Sequence, residues 1–148
     1  MKKTIMITLL GVATLTKAQK VKEADVPLAV KEAITKQYKG VKVEKWEKET
    51  DNFEAEFDYN KQETSVLISP NGKILETEIE INVGALPTAA IDYINKNMPG
   101  KKIKEAAKIT NDQGIVSFEA EVGEADYIFD YDGTFLKKEV EAKDDDKD

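Results

Sequence analysis

Between residues 53 and 59 the chain alternates strictly. Phe53, Ala55, Phe57 and Tyr59 take one face, and Glu54, Glu56 and Asp58 take the other. This is the pattern of a strand in an antiparallel sheet with one face packed. Phe118, Ala120 and Val122 repeat it against Glu119 and Glu121. Residues 41–49 and 102–109 read as the strands before these, and Val66 with Ile68, or Tyr127 with Phe129, as the strands after. Ser69-Pro70-Asn71-Gly72 and Asp130-Tyr131-Asp132-Gly133 are turns, with glycine supplying positive φ. Fourth strands run over 73–81 and 134–141. In the first of these, Leu75, Thr77, Ile79 and Ile81 face inward and Glu76, Glu78 and Glu80 face out.

Helical spacing appears ahead of each strand group. Val30, Ala33, Ile34 and Tyr38 fall on one face behind Pro27, with Asp25 available as a cap. Ala90, Ile91, Ile94 and Met98 do the same behind Pro87. Gly40 and Gly100 stop the helices, and Pro99 reinforces the second stop.

The two halves are copies. An offset of 60 aligns Pro27 with Pro87, Ile34 with Ile94, Gly40 with Gly100 and Thr50 with Thr110. Phe53-Glu54-Ala55-Glu56 recurs as Phe118-Glu119-Ala120-Glu121, and Gly72 and Leu75 recur as Gly133 and Leu136. The offset changes only between elements, where loops absorb insertions. The expected fold is α+β: two tandem units, each a helix followed by a four-stranded antiparallel meander, with the sheets side by side and the helices on one face. The units span 24–82 and 83–142. A unit of about 60 residues is marginal alone, and the chain has no Cys to brace it, so the units are expected to share a core or a sheet.

Residues 1–18 have the grammar of a cleavable signal peptide. Lys2 and Lys3 precede an apolar run from Ile5 to Val12, and Thr16-Lys17-Ala18 offers small residues at a cleavage point. The run is shorter than the roughly 20 residues that a membrane-spanning helix requires. The expected product is periplasmic or secreted, with no membrane insertion after cleavage. It retains 19 Lys against 29 Asp and Glu, a net charge of −10 compared with −7 for the whole chain. There is no Arg, and this acidic balance disfavours nucleic-acid partners. Residues 143–148 read as a charged, disordered tail.

The order of these motifs resembles a known family. Val26-Pro27 and Leu86-Pro87 each open a helix that leads to a Phe-Glu-Ala-Glu strand and then to an Asn71-Gly72 or Asp132-Gly133 turn. This is similar to the PepSY-like, β-lactamase-inhibitor-like domains of small secreted or periplasmic bacterial proteins, over about residues 24–142. The resemblance implies tandem α+β units forming one broad sheet surface. It does not imply an inhibited enzyme.

The residue inventory excludes much chemistry. Without His or Cys there is no Ser-His-Asp or Cys-His nucleophile and no usual zinc, copper or haem ligand set. Ser65, Ser69 and Ser117 stand in no nucleophile motif, and no phosphate-binding glycine loop occurs. A non-enzymatic binding module without a cofactor is the expected function, recognising an unidentified protein or peptide through the sheet face. Trp46, Leu67 and Ile128 are its candidate apolar anchors. For Trp46, alternation counted from Val41 and Val43 places the indole away from the helix, although a bulge would turn it into the core. Glu54, Glu56, Glu119 and Glu121 are the charged candidates. A solvated surface is the simpler reading of these acids, and a docking face for a basic partner the sharper one. The alternative function is an envelope protein that binds a small ligand or a cation such as calcium. Asp130 and Asp132 are its candidate metal ligands, but they lack EF-hand spacing, and a plain β-turn explains them more simply.

Overall fold

The computed structural model describes residues 18–140. The expected signal peptide, apart from Ala18, and the expected tail lie outside those residues. Two α-helices and nine strands occur among them. The order is β1 (Gln19–Lys20), α1 (Leu28–Gln37), β2 (Lys45–Glu49), β3 (Asn52–Tyr59), β4 (Gln62–Ile68) and β5 (Ile74–Ile81), then α2 (Thr88–Asn97), β6 (Ile103–Asn111), β7 (Val116–Val122), β8 (Ala125–Asp130) and β9 (Phe135–Val140). A single 3-10 turn precedes each helix. No described helix is long and apolar enough to cross a membrane.

All nine strands belong to one antiparallel sheet, hydrogen-bonded in chain order from β1 to β9. The expected pair of sheets is therefore one sheet. Its seam is β5 against β6, where Thr77 pairs with Thr110, Ile79 with Lys108 and Ile81 with Ala106. An additional short strand, β1, pairs with β2 through Gln19–Lys48 and Lys20–Glu47. Residues 41–44 precede β2 rather than belonging to it. Their described link to the sheet is the Glu44 N–H donating to the Glu56 carbonyl at 2.8 Å.

The helices form because their apolar residues recur at a spacing of four and have an apolar sheet face to cover. Val30 and Ile34 of α1 are buried with Phe53, Ala55, Phe57, Val66 and Ile68. Ala90 and Ile94 of α2 are buried with Ala106, Ala120, Val122 and Phe129. Rings close both cores. Tyr38 meets Phe57 edge-on at 5.0 Å, and Tyr93 stacks on Phe135 at 4.7 Å. Asp25 is not the cap of α1. The 3-10 turn Glu23–Asp25 holds it ahead of Pro27, which occupies the cap position without a side-chain hydrogen bond.

Turns pin each helix to the sheet. Gly72, at φ +86°, lies so close to α1 that an added Cβ would sit 2.6 Å from the Ala29 carbonyl oxygen. Gly133, also at φ +86°, makes the same approach to Ala90 and Pro87 at α2. The β4–β5 and β8–β9 turns therefore brace the first turns of the two helices, and both helices stay on one face.

Candidate functional site

Strand register assigns every other residue to the face away from the helices. One row across that face runs Lys45, Glu56, Ser65, Glu78, Ile109, Ser117, Asp130. The next runs Glu47, Glu54, Leu67, Glu76, Asn111. In the second unit Glu119 pairs with Ile128, and Glu121 with Asp126.

This face is the inside of a curl. In a flat sheet with strands about 4.8 Å apart, β5 and β9 would be separated by roughly 19 Å, well beyond the screening length of about 8 Å in physiological salt. Yet the Glu76 carboxylate on β5 feels the charges of Lys137 and Glu139 on β9 and of Glu49 on β2. Likewise Glu78 feels Glu119, Glu54 and Asp126. The right-handed twist of strands, accumulated over nine of them, folds the sheet around its acidic side.

Several of the acids that face away from the helices are consequently buried, Glu54 and Glu121 of the four charged candidates among them. Glu78 is 0 % exposed and Glu54 1 %, and Glu47, Glu76, Glu121 and Asp126 are also buried. Burial pushes the Glu54 and Glu78 carboxyls well above the usual carboxylate range, and neighbouring negative charges push Glu78 further. Burial likewise raises Glu76 to about 7 against the opposing charge of Lys137, and raises Glu49 to about 7 with help from Glu47. A buried carboxylate needs a counter-charge or hydrogen-bond donors. Glu54 Oε1 accepts a bond from the Ser65 hydroxyl, but Glu54 Oε2 and both oxygens of Glu78 have no hydrogen-bond partner.

The acids converge most tightly at the β2–β3 hairpin. Carboxylate oxygens of Glu47, Glu54 and Glu56 lie within 4.8 Å of one another. Lys45 Nζ is 2.9 Å from Glu47 Oε2 and 3.3 Å from Glu56 Oε1. Burial lowers the Lys45 ammonium, but hydrogen bonding to Glu47 and the charges of Glu56 and Glu47 outweigh it and raise the group overall. Beside this cluster is a cleft of about 250 Å³ lined by Lys20, Glu44, Lys45, Glu56, Phe57, Asp58 and Glu63.

Trp46 is not on this face. It is buried among the helix-side core residues, and its indole N–H has no hydrogen-bond partner. The alternation counted from Val41 fails because the strand starts at Lys45, and the pairing of Trp46 with Ala55 puts the indole on the core face. Leu67 and Ile128 do lie away from the helices, but they are 1 % and 3 % exposed and offer no surface anchor. Glu54, Glu56, Glu119 and Glu121 share one face of the sheet, but it is the inside of the curl rather than an open surface. Asp130 Oδ1 accepts from the Asp132 and Thr134 N–H groups at 3.0 and 2.8 Å and so closes its own turn. Sequence reasoning did not single out Glu47. The available signal was the repeat itself, since an offset of 60 puts Ala107 in its place.

No curated protein matches this sequence. Its fold is similar to several solved structures. A DUF2874 family protein from Bacteroides uniformis is 16 % identical, with a TM-score of 0.68, covering 77 % of this chain and 88 % of that one. A BLIP-like protein from Bacteroides fragilis is 22 % identical, with a TM-score of 0.61 and coverages of 81 % and 89 %. A second DUF2874 protein, from Bacteroides ovatus, is 16 % identical, with a TM-score of 0.64 and coverages of 78 % and 89 %. The family model matches twice, over residues 12–76 and 69–137. With both copies of the repeat matched, the chain belongs to the PepSY-like family, described as "putative beta-lactamase-inhibitor-like, PepSY-like".

Proposed function

We propose that this protein is a non-enzymatic binding module of the cell envelope that holds a small cationic ligand against the inner, acid-lined face of its sheet. The observation that carries the reading is the orphaned pair of oxygens on Glu78, with that of Glu54 beside it, inside a curled sheet. Such groups are costly unless a cation or a proton joins them. The signal-peptide pattern supports an envelope location. The absence of His and Cys removes the Ser-His and Cys-His pairs on which much nucleophilic catalysis depends. Protein recognition through Trp46 loses its support because that side chain is in the core.

Thermal melting with calcium chloride, spermidine and a lysine-rich peptide tests this reading. At least one cation should raise Tm, and a Glu76→Gln/Glu78→Gln double variant should lose the response. Glu32→Gln and Asp92→Asn, on exposed helix positions, should retain it. No response to any cation, or a response that the helix variants also lose, would refute the reading. A response to the peptide alone would redirect it to docking of a basic protein segment.

A further inference from the structure

We infer that Glu47, Glu54 and Glu56 form a binding site for one divalent, oxygen-preferring cation of the calcium type, entered through the cleft beside Lys45. The inference rests on the reading of the inner face as cation-holding, and adds a place and a charge to it.

Geometry is the first argument. Calcium holds oxygen ligands at about 2.3–2.6 Å, so oxygens on opposite sides of the ion are about 5 Å apart. The three carboxylates already gather within that span. They come from adjacent strands, with Glu47 paired to Glu54 and Glu56 two residues further along the same face, so the sheet ladder fixes their spacing without a dedicated loop.

The second argument is the unused oxygen. Glu54 is 1 % exposed and keeps Oε2 without a partner, while Ser65 orients the other oxygen. Glu78, reached from Glu56 across Ser65 in the same row, adds two more unpartnered oxygens on this face.

Charge is the third. Once a metal ion displaces their protons, the three carboxylates and the Lys45 ammonium leave two net negative charges, which one divalent ion neutralises. Access is the fourth. Glu56 belongs to both the cluster and the 250 Å³ cleft, and its side chain is 12 % exposed. Finally, the site is confined to one copy of the repeat, because Ala107 pairs with Glu119 where Glu47 pairs with Glu54. One ion per chain is expected.

Terbium luminescence tests the site. Terbium replaces calcium at oxygen sites and emits when a nearby indole is excited, and Trp46 adjoins Glu47 in the chain. The purified protein should show indole-sensitised terbium emission that calcium displaces, with one ion bound by calorimetry. Glu47→Gln and Glu54→Gln should each weaken calcium by at least about tenfold, because affinity follows ligand charge. Asp92→Asn, on an exposed helix position, should leave it unchanged. Lys45→Met should tighten binding by removing an internal competitor. That is an opposite effect which mere loss of folding cannot mimic. Circular dichroism checks each variant, and Glu56→Gln substitutes for any that does not fold. No terbium emission and no calcium heat at millimolar concentration would overturn the inference, as would binding indifferent to Glu47 and Glu54. If spermidine stabilises the protein while calcium and terbium do not bind, this site falls and the cation-holding reading stands. If nothing binds, both fall.

Discussion

Trp46 and Glu47 are neighbours in sequence and stand on opposite sides of one strand. The indole lies in the core beneath α1, and the carboxylate lies inside the curl. Alternation decides both fates at once, and its phase depends on where the strand begins. Alternation from Val41 puts the one tryptophan away from the helix and a break in phase before Lys45 puts it in the core, and hydrophobicity alone does not mark where hydrogen bonding starts. The buried indole has a direct signature. Trp46 emission should be blue-shifted and resistant to iodide, with an unfolding transition that shifts it red. A maximum typical of solvated indole, quenched by iodide in the native state, would contradict the structure.

Elements were far more legible than sides. Both helices, the paired turns and the order of strands follow from period, proline and glycine, since these act locally. That the two sheets are one was less legible, because the β5–β6 ladder joins residues that α2 separates in the chain. The acidic face was legible as a face but not as an interior, since curl is a property of nine strands together. The turn-to-helix brace adds a prediction at this scale. Gly72→Ala should destabilise the fold by about 2–4 kcal/mol, combining the left-handed backbone penalty with overpacking against Ala29. Gly40→Ala is the control. Gly40 has a similar φ of +79° but nothing within 4 Å of the added Cβ, so it should cost only about 1–2 kcal/mol. Urea melts of the two variants check the difference, and equal costs would mean that the turn does not bear on α1.

For the whole molecule, the buried carboxylates dictate a pH dependence. A folded-state carboxyl raised above its unfolded value keeps a proton that the unfolded chain has released. Stability therefore declines as pH rises from the ordinary value of 4.5 through the folded one. For Glu49 and Glu76 that window is 4.5 to about 7, and Glu54 and Glu78 extend the decline in the same direction. Tm should be higher at pH 5.5 than at pH 8. A Glu54→Gln/Glu78→Gln double variant should flatten the slope and be the more stable protein at pH 8. A wild-type Tm that rises over this range would show that the interior acids are ionised and well compensated.

The β5–β6 seam also bears on how such a molecule arises and comes apart. A single unit cut from the chain would end in a raw strand, with Ile79 and Ile81 on one side and an unfilled ladder of backbone donors and acceptors along its length. Duplication converts two such sticky margins into an internal joint and, among the described residues, leaves the two-residue β1 and the lysine-bearing β9 at the rims. Short or charged rims are what keep open sheets from adding neighbours. A cut between β5 and α2 that let the two halves separate would remove that protection, and the released halves would be driven to re-pair with each other or with copies of themselves.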